Sequence, residues 1–216
     1  MEGQRRLAPQ GSRQHGRLVV LASGAGSNLQ AILDATRSGR IPAQVVAVMT
    51  NRDGIAALDR ARRADVPAHA LLPESGEARA AYDARLADAV EAYAPDLVVL
   101  AGWMRILTMP FLGRFPGRVL NLHPALPGEL PGTHAIERAH AEFVAGSRTR
   151  TGVMVHLVPD EGVDDGPVLA TVDVPILPGD TVDELATRVH AAEHVLLVDA
   201  IAAFLRTSHD TPLPVS

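Results

Sequence analysis

Asn121 and His123 stand two residues apart in the run Asn121-Leu122-His123-Pro124. On an extended chain both side chains leave the same face. An amide donor beside an imidazole suits a carbonyl that becomes an oxyanion, with the imidazole able to move a proton. A structural asparagine and a satisfied loop histidine is the competing reading. An acidic run follows at Asp160-Glu161-Gly162-Val163-Asp164-Asp165-Gly166-Pro167. One of its carboxylates beside His123 would raise the imidazole pKa or relay a proton. The same residues also suit a solvated turn.

Two further patterns could hold a ligand. Ser23-Gly24-Ala25-Gly26-Ser27-Asn28 lies between a predicted strand and a predicted helix. Glycines let backbone N–H groups approach an anion, and the helix N-terminus adds partial positive charge. No Gly-Lys-Ser/Thr follows, so it is not a Walker loop. Leu29 stands where a dinucleotide fingerprint needs its third glycine, and Thr50-Asn51-Arg52 stands where it needs an acid. The loop suits a phosphate-bearing small molecule better than NAD; a tight turn with Ser27 as helix cap is the alternative. His190-Ala191-Ala192-Glu193-His194 matches an inverted zinc-protease pattern. The 22 residues after His194 contain Asp199 and Asp210 but no Glu, so the usual further ligand is missing, and a helix face with two histidines is the preferred reading. His69, His134, His140 and His156 gain no role from spacing. Trp103 and Met104 read as core or pocket wall.

These residues need elements to position them. Leu18–Ala22, Val45–Met49, Ala68–Leu71, Leu97–Ala101 and Val119–Leu122 read as short apolar strands. Helices are predicted over 28–36, 55–64 and 78–93. The last carries Tyr82, Leu86, Val90 and Tyr93 along one stripe, and Pro95 stops it. Non-alternating apolar strands interleaved with helices mean a parallel sheet covered on both faces. Asn121 and His123 then fall at the carboxyl end of a strand, where open sheets of this kind bind ligands. Residues 124–131 are rich in Pro and Gly and form a loop. A helix over 135–145, two strands over 151–158 and 168–174 joined by the acidic turn, and a long helix over 180–205 complete the chain.

Composition narrows the function. A 47% hydrophobic content supports a core, so 216 residues suit one domain. Aromatics at 3% leave little for a base-stacking surface. A net charge of −5 without a basic stripe argues against nucleic acid. There are no cysteines, which excludes disulfides, thiolate metal sites and a cysteine nucleophile. No apolar run is long enough for a membrane span. Residues 1–16 lack the apolar middle of a signal peptide, and the expected location is cytoplasmic.

Several motifs recur together, in order: Ser-Gly-x-Gly-Ser-Asn-Leu-Gln-Ala-Ile at 23–32, Ala-Tyr-Asp at 81–83 and Ala-Pro-Asp-Leu-Val-Val-Leu-Ala-Gly-Trp-Met-Arg-Ile-Leu at 94–107. Asn-Leu-His-Pro at 121–124, Pro-Gly-x-His at 131–134, Gly-Val-Asp-Asp-Gly-Pro at 162–167 and Glu-His at 193–194 follow. On these the chain resembles the folate-dependent phosphoribosylglycinamide formyltransferase family over residues 17–206. The resemblance implies a Rossmann-like α/β fold, an open and mostly parallel sheet with helices on both faces. It implies formyl transfer from 10-formyltetrahydrofolate, a co-substrate, to the amine of glycinamide ribonucleotide in purine synthesis, with no metal. Asn121, His123 and Asp164 match the catalytic trio. Gly26, Ser27 and Asn28 match the phosphate loop, and Glu193 a substrate contact. Arg79 and Met104, Arg105, Ile106 and Leu107 match folate contacts, as do the 160–164 turn and Asn121.

Two departures stand out. Proline comes one position early in His123-Pro124-Ala125-Leu126-Pro127-Gly128, and the acidic turn is one residue longer at Gly162. Asp165 is the alternative acid, but Asp164 keeps the Asp-x-Gly-Pro spacing. The expected organisation is a disordered extension over 1–16, one formyltransferase domain over 17–207 and a tail over 208–216. Partners are small molecules rather than nucleic acid or membrane, and the assembly is a monomer or homodimer. A methionyl-tRNA formyltransferase would carry a basic C-terminal domain, and a formyltetrahydrofolate hydrolase a regulatory N-terminal one.

Overall fold

Leu18 to Ala22 are wholly buried on both faces of their strand, so helices must cover the sheet on either side. A computed structural model describes residues 15–210. Its elements are β1 (Gly16–Ala22), α1 (Ser27–Arg37), β2 (Ala43–Thr50), α2 (Ala56–Arg63), β3 (Ala68–Ala70), α3 (Arg79–Glu91) and β4 (Leu97–Leu100). Then come α4 (Met109–Leu112), β5 (Val119–His123), α5 (Ala135–Val144), β6 (Arg150–Leu157), β7 (Val168–Pro175) and α6 (Val182–Asp210). The seven strands form one sheet in the order β3-β2-β1-β4-β5-β6-β7. β1 to β5 run parallel, β6 pairs antiparallel with β5, and β7 pairs antiparallel with β6.

Alternate residues of β1 enter two cores. Leu18, Val20 and Ala22 pack with Leu29 and Ile32 of α1, Ala139 of α5 and Leu197 and Ile201 of α6. Val19 and Leu21 pack with Tyr82, Leu86 and Val90 of α3 and Phe111 of α4. Each fully buried aliphatic side chain contributes roughly 1.5–3 kcal/mol. Because β1, β4 and β5 are neighbours that run in the same direction, the loops at their carboxyl ends share one rim of the sheet.

The differences from the predicted elements have local causes. Helix α3 ends at Glu91, before Pro95, because Ala94 adopts φ 43 and turns the chain. The residue before a proline is disfavoured in a helix, so the stop comes early. The short α4, with Pro at its first turn, has too few residues to show a period. α6 starts at Val182 and runs beyond Leu205. The extension expected over 1–16 lies outside the described residues up to residue 14, and β1 already begins at Gly16. The expected tail over 208–216 overlaps α6 through Asp210, and residues 211–216 lie outside the described residues. No helix among the described residues is long and apolar enough to cross a membrane.

Candidate active site

β5 carries Asn121 and His123 to the rim, and its antiparallel pairing with β6 sets Asn121 opposite His156. The β6–β7 connection folds back over this face and lowers Asp164 between them. Asp164 itself adopts φ 55, a left-handed conformation that aspartate tolerates better than most residues. The return is tight: a Cβ on Gly166 would stand 2.0 Å from the Leu157 carbonyl oxygen. Only glycine fits there.

The result is a closed cluster. His123 Nδ1 lies 3.2 Å from Asp164 Oδ2. Asn121 Nδ2 donates to Asp164 Oδ1 at 3.0 Å. The Gly132 backbone N–H donates to Asp164 Oδ2 at 2.8 Å. The sequence separates these residues and the structure brings all three together. Asp165 is exposed and bends back across its own turn, so that a Cβ on Gly162 would meet its carboxylate at 2.3 Å. Asp164 is thus the acid in contact with His123.

His156 is a member that spacing did not single out. It is 2% exposed, with Nε2 3.1 Å from Asn121 Nδ2 and 3.5 Å from Asp164 Oδ1. The signal for it is strand register rather than spacing. Once residues 151–158 pair antiparallel with β5, His156 falls beside Asn121.

Burial pushes the His123 imidazole below its ordinary value, against the pull of Asp164 and of the Leu130 carbonyl. The Asp164 carboxylate thus favours the charged ring while burial opposes it. Asp164 is pulled upward by burial, but the adjoining His156 ring, the hydrogen bond from the Gly132 N–H and the charge of His123 outweigh this and hold its carboxyl below the usual range. Asn121 also has no free amide hydrogen for an oxyanion, since Asp164 and His156 engage both.

The 124–131 loop reaches into the cluster. His123 Nε2 faces the Leu130 carbonyl oxygen at 3.0 Å, and Arg138 donates to the same oxygen at 2.8 Å. Arg148 pairs with Glu129 of this loop and with Glu142. Displaced proline and all, the loop is anchored on both flanks.

The β1–α1 loop makes a second centre. Gly26 caps α1 at φ 72, and Ser27 makes no capping hydrogen bond. A Cβ on Gly26 would lie 2.9 Å from Ala57, so the loop is pressed against α2. Ser27, Gln30, Arg60 and His194 line a cleft of about 380 Å³. Beside it, Asn28 donates to Glu193 Oε2 at 3.2 Å, and the same oxygen lies 2.8 Å from His190 Nδ1. Glu193 raises the His190 pKa through this contact. Asn28 Oδ1 and His194 Nε2 are buried without hydrogen-bond partners. The inverted zinc pattern thus faces Asn28. No group of three or more His, Asp or Glu side chains among the described residues is arranged to hold a metal ion.

The loop after β4 forms a third part. Ser23 Oγ accepts from the Met104 N–H at 2.9 Å, linking it to the β1 loop. Met104 is 61% exposed and Ile106 41%, which makes Met104 a wall rather than core. Arg105 lies over the Tyr82 ring at 4.6 Å. Leu107 turns into the core, leaving its backbone for any ligand. Asp83, wholly buried, accepts from Thr108 N at 2.8 Å and Thr108 Oγ1 at 2.7 Å and pins the loop. The Met109 N–H donates to Glu161 at 3.0 Å, tying the loop to the acidic turn. Arg79 opens α3, exposed, and is not in contact with the cluster.

Comparison with known proteins identifies the family and the fold. Residues 16–201 match the formyl transferase family model. The chain is 41% identical over 187 residues to phosphoribosylglycinamide formyltransferase of Escherichia coli (strain K12), covering 87% of this chain and 86% of that protein. It is 48% identical over 187 residues to phosphoribosylglycinamide formyltransferase of Mycobacterium tuberculosis (strain ATCC 25618 / H37Rv), covering 87% and 84%. Among solved structures it resembles glycinamide ribonucleotide transformylase 1 from Symbiobacterium toebii. There the TM-score is 0.85 at 43% identity, covering 91% of this chain and 90% of that one.

Proposed function

The chain belongs to the formyl transferase family, and from that premise we propose how its rim of loops carries out the reaction. It is a phosphoribosylglycinamide formyltransferase in function, passing a formyl group to the amine of glycinamide ribonucleotide in purine synthesis. The proposed donor is 10-formyltetrahydrofolate, yielding formylglycinamide ribonucleotide and tetrahydrofolate. The proposed setting is the cytoplasm, with residues 17–207 as a single domain. The observation that carries the site assignment is the contact of Asn121, His123 and Asp164 at the carboxyl end of β5.

Residues present fit both substrates. The Gly26–Asn28 loop opens an 11-residue helix, whose N-terminal N–H groups and partial charge suit the ribonucleotide phosphate. Asn28 Oδ1, buried and unpartnered, and Glu193 lie within reach of that loop. The exposed Met104 and Ile106, with Arg105 over Tyr82, offer an apolar ledge suited to a flat folate ring. The acidic turn closes the other side through Glu161.

As the amine nitrogen bonds to the formyl carbon, the formyl oxygen gains charge. His123 Nε2 can exchange the Leu130 carbonyl for that oxygen, because a charged acceptor is the stronger partner. Asn121 can likewise turn one N–H toward it. Removing one such donor typically costs about 10²–10³ in rate. Asp164 stabilises the imidazolium as His123 helps carry the proton lost by the amine to the departing folate nitrogen. The carbon–nitrogen bond to folate then breaks. Asp164→Asn should keep both ligands bound while turnover falls by orders of magnitude; near-normal turnover would sink the assigned role.

A further inference from the structure

We propose that His156 is a positioning residue for formyl transfer. It holds one of the two Asn121 amide hydrogens in the resting site and releases that hydrogen to the forming oxyanion. The inference rests on the catalytic reading of Asn121.

The polarity of the network follows from two fixed ends. At one end, His156 Nδ1 lies 2.8 Å from the Leu157 carbonyl oxygen. A carbonyl can only accept, so the ring hydrogen is on Nδ1 and Nε2 presents a lone pair. At the other end, Asp164 Oδ1 lies 3.0 Å from Asn121 Nδ2. An ionised carboxylate can only accept, which fixes the amide with its nitrogen toward Asp164. The two ends meet at the 3.1 Å contact between Asn121 Nδ2 and His156 Nε2, where a donor faces a lone pair. His156 Nε2 also stands 3.5 Å from Asp164 Oδ1, longer than an N–H···O hydrogen bond, whereas reversing the amide or moving the ring hydrogen would put like against like at one of the three shorter contacts.

Asn121 therefore waits between two unequal acceptors. Hydrogen bonds to a carboxylate are roughly twice as strong as those between neutral groups, so the hydrogen on His156 is the easier one to redirect. Were that acceptor missing, the amide would have one polar anchor instead of two and could rotate out of line. His156 is itself immobilised, 2% exposed on β6 directly opposite Asn121. It touches the reaction only through Asn121.

The test is a double-mutant cycle of His156→Phe and His156→Gln in native and Asn121→Ala backgrounds. Each variant is followed by steady-state kinetics in both substrates and by thermal melting. His156→Phe should lower kcat roughly tenfold to a hundredfold with both KM values little changed. His156→Gln, which retains an acceptor, should recover most of that loss. In the Asn121→Ala background, His156→Phe should have no further effect on kcat. The same fold-loss in both backgrounds, or Gln no better than Phe, would make His156 merely structural and overturn the proposal. If Asn121→Ala leaves kcat untouched, the catalytic reading of Asn121 fails first and takes this inference with it. Should His156→Phe not fold, the Gln cycle decides, together with 15N NMR of the native ring. A hydrogen found on His156 Nε2 rather than Nδ1 would overturn the assignment directly.

Discussion

His123 sits between two acceptors, Asp164 on one ring nitrogen and the Leu130 carbonyl on the other. Burial depresses its pKa and the Asp164 charge opposes that depression. Removing the charge must therefore lower the pKa further. NMR titration of unliganded Asp164→Asn should show His123 titrating below its position in the native protein; an unchanged or higher value would contradict the electrostatic picture. At the second centre, Asn28 and Glu193 share a hydrogen bond beside the phosphate loop. Asn28→Ala should raise the ribonucleotide KM roughly tenfold or more, as befits lost hydrogen bonds to charged groups. The folate KM should stay nearly constant, and equal effects on both would argue against the loop assignment. The pair Asn121 and His123 could be read from spacing because a strand's period of two is local. His156 could not, because 35 residues separate it from Asn121, and only antiparallel register joins them. Asp164 over Asp165 was legible through its spacing to Pro167, but its contact with His123 depends on the chain folding back at Gly166.

Between residue and fold, two elements hold the site in place. The loop after β4 owes its shape to Asp83, whose Oδ2 takes both hydrogens of Thr108. Asp83→Asn should loosen that loop and raise the folate KM with less effect on the ribonucleotide KM; the reverse pattern would remove the loop from the folate side. Helix α6, which delivers Glu193, is braced at its start by Arg188 against Asp180. Arg188 and the Leu177 N–H hold the Asp180 carboxyl down at about 2, from an ordinary 3.8. A carboxyl lowered in the folded state stabilises above its unfolded value and loses that contribution as pH falls through the folded one. The melting-temperature gap between native protein and Asp180→Asn should be steady above about pH 4. It should shrink as the pH nears 2; a gap that persists at pH 2 would contradict the ion pair's role. The strands and longer helices were readable because apolar runs and helical stripes persist over many residues. The end of α3 was not, since it turns on one left-handed alanine, and α4 is too short to repeat.

On the scale of the whole molecule, sheet order matters most. Placing β1 beside β4 and β4 beside β5 brings three loops, separated by long stretches of chain, onto one rim. The alternation of strands and helices predicts that rim. The antiparallel run of β6 and β7 was less legible, because a turn of acidic residues does not state its direction. It is this reversal that carries Asp164 and His156 to Asn121. The central claim is that the rim transfers a formyl group to a phosphorylated amine. The most direct measurement is release of tetrahydrofolate from 10-formyltetrahydrofolate by the purified protein, with and without glycinamide ribonucleotide. The account predicts release only when the ribonucleotide is present, one formylated ribonucleotide for each folate released. Release at the same rate without it would mean that water is the acceptor and would contradict the account.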